Sequence, residues 1–194
     1  EQGVMQLTDT GHYRMGSAFE NTTEVNASDV SIEFYFYIGD GSGADGLSLT
    51  ALDTARMTQY LGGNGCGIGY GGDVHCTGGH RLPGWAIEVD TYYNGGGVDP
   101  THLDHVMFSF SDSAESLWAP LPEMEDTGWH KMTVVVSAPH VYVAIDDVVY
   151  IDEDISGNFD FDAYVGFTAA TGGATNQHLI QSLMVTSYVC EDTP

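Results

Sequence analysis

The residues whose types and spacing could do chemistry are concentrated between positions 88 and 105. Glu88, Asp90 and Asp99 supply three carboxylates, Asn94 supplies an amide oxygen and His105 an imidazole. Like charges held close together resist ionisation unless a cation compensates them. Oxygen-rich ligation is what Ca²⁺ takes, and carboxylates with an imidazole suit a transition metal beside it. The segment therefore predicts a calcium site, and the alternative is a loop with ordinary surface carboxylates.

A strand followed by a loop must position these ligands. Alternation along an extended chain places the side chains of Glu88 and Asp90 on the same face. The chain then enters the glycine-rich stretch 95–97 and reaches Pro100, residue types that favour tight turns. We expect the strand to present the carboxylates and the loop to wrap around a metal.

Two cysteines flank a second glycine-rich segment. A Cys66–Cys76 disulfide would close a small loop and stabilise it by roughly 2–3 kcal/mol, with Cys190 left apart. The alternative is a zinc site formed by Cys66, His75, Cys76 and His80, although their spacing matches none of the usual paired-cysteine patterns. The disulfide is the preferred interpretation.

A third candidate begins at Asp152, where Asp152-Glu153-Asp154 starts like an EF-hand loop. Position twelve of that loop would be Ala163, where a bidentate glutamate is needed. The segment is interpreted as an acidic loop, with an accessory calcium site as the alternative.

The surrounding chain has an apolar period of two, which is typical of strands. Ile32, Phe34 and Phe36 alternate with polar or aromatic neighbours, and an Asp146-Asp147 turn predicts a hairpin. No segment has a helical stripe, and at most one helical turn is expected near 54–59. Further strands are predicted at 106–110, 132–136, 164–169 and 179–187. The pattern predicts an all-β antiparallel sandwich that forms a single domain over residues 1–194.

The charge balance restricts the partners. Twenty-eight acidic residues against four basic ones give a formal net charge of −24. Such a surface repels phosphate backbones and anionic membranes and attracts divalent cations, so nucleic acid is excluded as a partner. No apolar stretch approaches the length of a membrane span, so no membrane insertion is expected. The acidic surface suits a secreted or cell-surface protein, and the start at Glu1 suggests a processed chain or a domain of a larger, multidomain protein.

Four segments resemble those of legume and related L-type lectins, and they occur in the same chain order. They are similar to the family's sugar-site aspartate loop, its glycine-rich loop, its metal-binding strand and loop, and its last core strand with the specificity loop. The segments are 43–49, 65–72, 86–106 and 164–173. The resemblance spans nearly the whole chain and implies an antiparallel β-sandwich of the jelly-roll type, as in concanavalin A-like domains.

The resemblance also implies a set of metal ligands. Calcium would be held by Asp90, Asn94, Asp99 and the Tyr92 carbonyl. A second metal such as Mn²⁺ would be held by Glu88, Asp90, Asp99 and His105, with His102 as the competing choice for the histidine. Calcium is the preferred cofactor, since some members of the family use it alone.

The same resemblance implies a sugar site. Asp45 would accept hydrogen bonds from two hydroxyls, oriented by a cis Ala44–Asp45 peptide bond. The Asn94 amide would donate to the sugar, and the Tyr92 ring would cover its apolar face. Backbone N–H groups at Gly65 and at Gly173–Ala174 would complete a shallow pocket.

These residues favour calcium-dependent glycan binding, in a lectin or adhesin, over catalysis. Mannose- or glucose-type ligands are preferred to galactose. One alternative is a glycoside hydrolase or lyase of the same sandwich fold, but Thr91-Tyr92 stands where sandwich hydrolases of the laminarinase type carry a second glutamate. The other is an adhesion module that uses calcium only for rigidity, which would not need the Asp45 loop beside the metal loop.

Overall fold

The computed structural model describes residues 3–71 and 81–187, and two antiparallel β-sheets make up most of that chain. In chain order the strands are β1 (Val4–Thr8), β2 (Met15–Phe19), β3 (Val25–Asn26), β4 (Asp29–Gly39), β5 (Gly46–Asp53), β6 (Gly84–Asp90), β7 (His105–Phe110), β8 (Ser116–Pro120), β9 (Trp129–Ser137), β10 (His140–Ile145), β11 (Val148–Asp154), β12 (Asp162–Ala170) and β13 (Gln177–Ser187). The six-stranded sheet has the order β1-β13-β4-β9-β10-β11. The seven-stranded sheet has the order β2-β12-β5-β6-β7-β8, with β3 paired to β12. The predicted antiparallel β-sandwich is confirmed.

Alternation along β4 places the core between the two sheets. Ile32, Phe34 and Phe36 are fully buried. Glu33, between Ile32 and Phe34, is only half-buried and forms an ion pair with Lys131 of β9, with 2.8 Å between Oε2 and Nζ. Phe34 meets Phe167 of the facing sheet edge-on, with 4.7 Å between ring centroids. Burying side chains of this size contributes about 1.5–3 kcal/mol each, so the facing strands are held together chiefly by apolar contact.

The predicted hairpin joins β10 and β11. Its two turn residues, Asp146 and Asp147, both have left-handed backbone angles, with φ of 50° and 63°. Two consecutive residues at positive φ give the turn whose twist matches that of the flanking strands, and aspartate tolerates this region.

The seven-stranded sheet is buried on both faces near its centre. One face of β5 packs into the core through Leu47 and Leu49. Residues 54–71 cover the other face, where Thr168 Oγ1 donates to the Ile68 carbonyl at 2.7 Å and contacts Ser48 Oγ at 2.8 Å. A polar layer of the sheet is therefore enclosed beneath a loop, and buried polar side chains can be held there because they are hydrogen-bonded.

Helical structure is limited to one short segment in the described ranges. A 3₁₀ turn spans Gly65–Gly67, and the stretch 54–59, where one helical turn was expected, forms turns and bends. No helix between residues 3 and 71 or 81 and 187 is long and apolar enough to cross a membrane.

Several cysteine and histidine predictions fall outside the described ranges. Cys76, His75, His80 and Cys190 all lie there. The Cys66–Cys76 disulfide and its zinc alternative therefore both stay predictions.

Candidate functional site

Strand register brings the predicted metal ligands to one end of the seven-stranded sheet. Asp90 pairs with Gly46 of β5 on one side and with His105 of β7 on the other. A side chain at position 46 would strike the Val89 carbonyl, since a Cβ there would lie 2.2 Å from that oxygen. Glycine at this position therefore lets β5 approach the strand that carries the acids.

Glu88, Asp90 and His105 form a compact buried cluster. One ligand atom from each lies within 4.8 Å of the others, and the three residues are 5%, 3% and 2% exposed. His105 Nε2 has no hydrogen-bond partner among the described residues, while the ring also hydrogen-bonds to the Leu103 backbone. Metal-ligating histidines have this arrangement, one nitrogen fixed by a backbone carbonyl and the other open to the ion. The cluster fits a divalent metal.

The electrostatics of the cluster favour a cation. Burial and the nearby Asp99 carboxylate together raise the pKa of Glu88 to about 7, although the Tyr70 hydroxyl donates to Glu88 Oε2 at 2.5 Å and opposes the shift. Burial and the neighbouring Glu88 carboxylate also raise the pKa of Asp90 well above its usual value. Because negative charge is disfavoured here, a divalent cation would offset both the desolvation and the repulsion.

Residues 91–99, the predicted metal loop that follows β6, are held together by hydrogen bonds to Asp90 and among themselves. Asp90 Oδ1 accepts a hydrogen bond from the Tyr92 N–H at 2.9 Å, and Asp99 Oδ2 accepts one from the Asn94 N–H. The Asn94 amide donates to the Tyr92 carbonyl at 3.0 Å, so both predicted oxygen ligands lie together. Gly95, at φ 108°, turns the chain between Asn94 and Asp99.

Asp99 lies beside the cluster of Glu88, Asp90 and His105 but is not one of the three residues whose ligand atoms lie within 4.8 Å of one another. Its carboxylate borders a cavity of about 100 Å³ together with Glu88 and Asp90. The competing histidine, His102, is exposed, and its ring packs on Tyr93 with 3.8 Å between centroids. The structure therefore brings His105 to the acids and leaves His102 on the surface.

A second pocket of about 240 Å³ opens next to this loop. The six residues predicted to bind sugar all line it: Asp45, Gly65, Tyr92, Asn94, Gly173 and Ala174. The Ala44–Asp45 peptide bond is cis, as the resemblance implies. The glycine-rich loop, the metal loop and the specificity loop thus converge on one concave site.

Asp45 is the buried acid of this pocket. It is 3% exposed, and its Oδ2 has no hydrogen-bond partner among the described residues. Its main chain is held on both sides, because its N–H donates to the Ala170 carbonyl at 3.1 Å and its carbonyl accepts from the Thr91 N–H at 2.9 Å. Burial, with a contribution from Asp99, raises the pKa of Asp45 to about 6. A buried carboxylate oxygen without a partner in the protein can accept a hydrogen bond from a ligand.

Sequence reasoning assigned no sugar contact to several other residues that line the pocket, among them Gly172 and Tyr13. A Cβ on Gly172 would lie 3.0 Å from Asp45 Oδ2, so glycine keeps that oxygen accessible. Tyr13, from the connection between β1 and β2, also lines the pocket. No local pattern around Tyr13 distinguishes it, since only the fold brings the start of the chain to this site.

Two other candidates lie elsewhere. The interpretation of 152–154 as an acidic loop is wrong, because these residues end strand β11, where Asp152 and Asp154 flank the His140 ring at 2.9 and 2.8 Å. His178, near the specificity loop in sequence, is fully buried, and its Nδ1 contacts Thr8 Oγ1 at 2.6 Å. Its place is in the sheet packing.

The two antiparallel sheets form a sandwich, and comparison with solved structures shows that this is the fold of L-type lectins. The Ca²⁺- and mannose-bound exoplasmic/lumenal domain of VIP36 is 18% identical and superposes with a TM-score of 0.73 over 98% of this chain and 80% of that domain. Lectin I-B4 from Griffonia simplicifolia, in a metal-free form, is 15% identical, with a TM-score of 0.68 over 96% and 88%. The legume lectin-like domain from Entamoeba histolytica is 12% identical, with a TM-score of 0.65 over 95% and 84%. No protein-family model matches the chain.

Proposed function

We propose that this protein is a calcium-dependent glycan-binding domain of the lectin type. The observation that carries the proposal is Oδ2 of buried Asp45, which has no hydrogen-bond partner among the described residues and lines a pocket beside a buried acidic cluster. A carboxylate in that position can accept hydroxyl hydrogen bonds, and charge-assisted bonds of this kind are about twice as strong as neutral ones.

Calcium would be held by the metal loop. Asp90, Asn94, Asp99 and the Tyr92 carbonyl supply the oxygen ligands, and the hydrogen bonds within residues 90–99 already gather these groups. A second metal such as Mn²⁺ would be held by Glu88, Asp90, Asp99 and His105. When bound, the cation supplies positive charge that offsets the burial of these carboxylates.

The pocket suits a neutral sugar. Asp45 would accept two hydroxyls, and the Asn94 amide would donate. Tyr92, 43% exposed, would cover an apolar sugar face. Backbone N–H groups of Gly65, Gly173 and Ala174 would complete the contacts. The solved VIP36 domain bound to Ca²⁺ and mannose supports mannose- or glucose-type ligands.

The carboxylates around the pocket support binding without catalysis. Retaining hydrolysis needs two carboxyl groups about 5–5.5 Å apart on either side of the scissile bond, and inversion needs two at a wider spacing. Among the described residues lining the pocket, Asp45 is the one carboxylate. Glu88 and Asp90 lie in the buried cluster, where metal binding would occupy them.

The acidic surface and the likeness to an exoplasmic/lumenal domain support a location outside the cytosol, either secreted or at the cell surface. Its partners would be cell-surface glycans or polysaccharides. Residues 1–194 would act as one binding unit, and this unit would be one domain of a larger, multidomain protein.

A glycan array tests the proposal. The protein is applied with calcium, with EDTA, and with calcium restored after EDTA. We expect binding to neutral glycans that disappears with EDTA and returns with calcium, and chromatography of the recovered oligosaccharides should show them unchanged. Shortened oligosaccharides would establish the hydrolase instead, and calcium binding without any glycan signal would favour the structural adhesion module.

A further inference from the structure

The loop between β1 and β2 is hydrogen-bonded to Thr171 and Gly172, which directly follow β12. Thr171, which is fully buried, is the centre of this contact. Its N–H donates to the Arg14 carbonyl at 2.9 Å, and its hydroxyl donates to the Gly11 carbonyl at 2.7 Å while accepting from the Arg14 N–H at 2.9 Å. The Tyr13 N–H donates to the Gly172 carbonyl at 3.1 Å. This network fixes Tyr13 relative to Gly172, which lies against Asp45.

The backbone of Tyr13 adopts an energetically unfavourable conformation. Its φ is 55°, in the left-handed region that bulky residues rarely occupy. Its side chain is 70% exposed, although it lines the Asp45 pocket. A strained backbone that presents an uncovered aromatic ring at the rim of a pocket points to a ligand-contacting role, since such strain persists only where surrounding contacts impose it.

We propose that Tyr13 is a second aromatic contact for the glycan, which it makes with the sugar unit adjoining the one bound at Asp45. This inference rests on the proposed function. Tyr92 and Tyr13 come from different loops and both border the pocket, and Tyr13 is the more exposed of the two, at 70% against 43%. A ring in that position has little to cover in a monosaccharide and covers the next unit of a longer chain. The ligand class is therefore a neutral oligosaccharide.

The charge at this rim agrees with a neutral ligand. The neighbouring cation, Arg14, is paired with Asp9 at 3.1 Å between Nε and Oδ1. Its charge is thus already matched, and the pocket carries the Asp45 carboxylate, so uronic and sialic acids would meet repulsion without a compensating partner.

The test compares wild type with Tyr13→Ala, Tyr13→Phe and His12→Ala. His12 is the matched control, because it is an exposed neighbour in the same loop and is not among the described residues that line the pocket. Calorimetry with calcium present uses methyl α-mannoside against α1,2-mannobiose and, in parallel, methyl β-galactoside against lactose. Each variant's melting temperature is recorded as a check on folding.

For the sugar pair that binds, we expect Tyr13→Ala to weaken disaccharide affinity by about five- to tenfold, the size of an aromatic contact. Monosaccharide affinity should change by no more than about twofold, which shows that the pocket is intact. Tyr13→Phe should keep both affinities, because the ring face and not the hydroxyl makes the contact, and His12→Ala should match wild type.

The outcomes separate the two proposals. If the wild type binds these saccharides and Tyr13→Ala binds the disaccharide equally well, the Tyr13 contact is wrong while glycan binding stands. An equal loss for monosaccharide and disaccharide also overturns it, because the effect would then come from the pocket. If the wild type binds none of the four probes and the glycan array is blank, glycan binding itself fails, and the contact fails with it.

Discussion

Replacing Asp45 by asparagine should separate glycan binding from folding. The substitution keeps the size of the side chain and removes the charge. In the folded protein Asp45 Oδ2 has no partner among the described residues, and the hydrogen bond from the Asn94 side chain to the carboxylate can still be accepted by the amide oxygen of asparagine. The bonds that hold its main chain to Ala170 and Thr91 are unaffected by the change.

The expected magnitudes have opposite signs for binding and for stability. A hydrogen bond to a charged group contributes about 1.5–3 kcal/mol, so losing the carboxylate as acceptor of two hydroxyls should cost about 3 kcal/mol, or roughly 150-fold in affinity. Burial raises the folded pKa of Asp45 from 3.8 to about 6, so stability is lost as pH rises from about 3.8 to 6, and the loss is complete above that pH, where the buried carboxylate is ionised. Asparagine should therefore raise the free energy of unfolding at pH 7.5 by up to about 3 kcal/mol.

Calorimetry with methyl α-mannoside and urea denaturation at pH 7.5 check the two effects in the same preparation. Asp99→Asn is the matched comparison, because its carboxylate belongs to the metal loop and its loss should lower calcium and sugar affinity together. Sugar affinity within threefold of wild type in Asp45→Asn would place the binding site elsewhere on the sandwich. A fall in both stability and calcium affinity would show that Asp45 acts as part of the metal site.

Four further predictions concern the metal, a buried histidine, the core and the cysteines. Calcium at a hundredfold excess over its dissociation constant should stabilise the fold by about 2.7 kcal/mol, and EDTA should lower the melting temperature accordingly; an unchanged transition would refute the metal site. Burial lowers the pKa of His178 from 6.5 to about 3. Between these pH values His178 is therefore protonated in the unfolded chain and neutral in the folded protein. Stability should be intact above pH 6.5 and fall towards pH 3 by up to about 1.4 kcal/mol per pH unit, and His178→Asn should flatten this slope in urea titrations. Phe34→Ala should lower the free energy of unfolding by about 3–5 kcal/mol, because Phe34 is fully buried against Phe167; a loss below 1 kcal/mol would mean that the sheets repack. Non-reducing digestion with mass spectrometry should recover Cys66 linked to Cys76, and free thiols at both positions would favour the zinc alternative.

Strands with strict alternation could be predicted from sequence, and short edge strands could not. Buried residues, most of them apolar, recur at every second position along β4, β9 and the start of β10, because one face of each strand is buried. β1 and β2 are five residues each with mixed exposure, so their patterns carry little information. The end of β11 looked like a loop because Asp152 and Asp154 are acidic, yet an edge strand tolerates charge where both faces meet solvent.

The cluster of Glu88, Asp90 and His105 could be predicted because its members are close in sequence, whereas the pocket beside it is assembled from distant segments. Glu88 to His105 span one strand, one loop and the start of the next strand. Tyr13 and Gly172 reach the pocket only because β2 pairs with β12, a contact between the two ends of the chain. Nor could sequence show that Ser48 and Thr168 would be buried, because that depends on the long loop that covers the sheet.

The hydrogen bonds around Thr91 connect the proposed metal and sugar sites. Thr91 lies between Asp90 and Tyr92, and its N–H and hydroxyl both donate to the Asp45 carbonyl, at 2.9 and 3.2 Å. The Asn94 side chain also hydrogen-bonds to the Asp45 carboxylate, which opposes the rise in its pKa. A cation that orders the loop would therefore also order Asp45, through contacts that neither ligand makes itself. Since coupling between two binding sites is reciprocal, a sugar that engages Asp45 and Asn94 would tighten calcium binding by the same factor by which calcium tightens sugar binding.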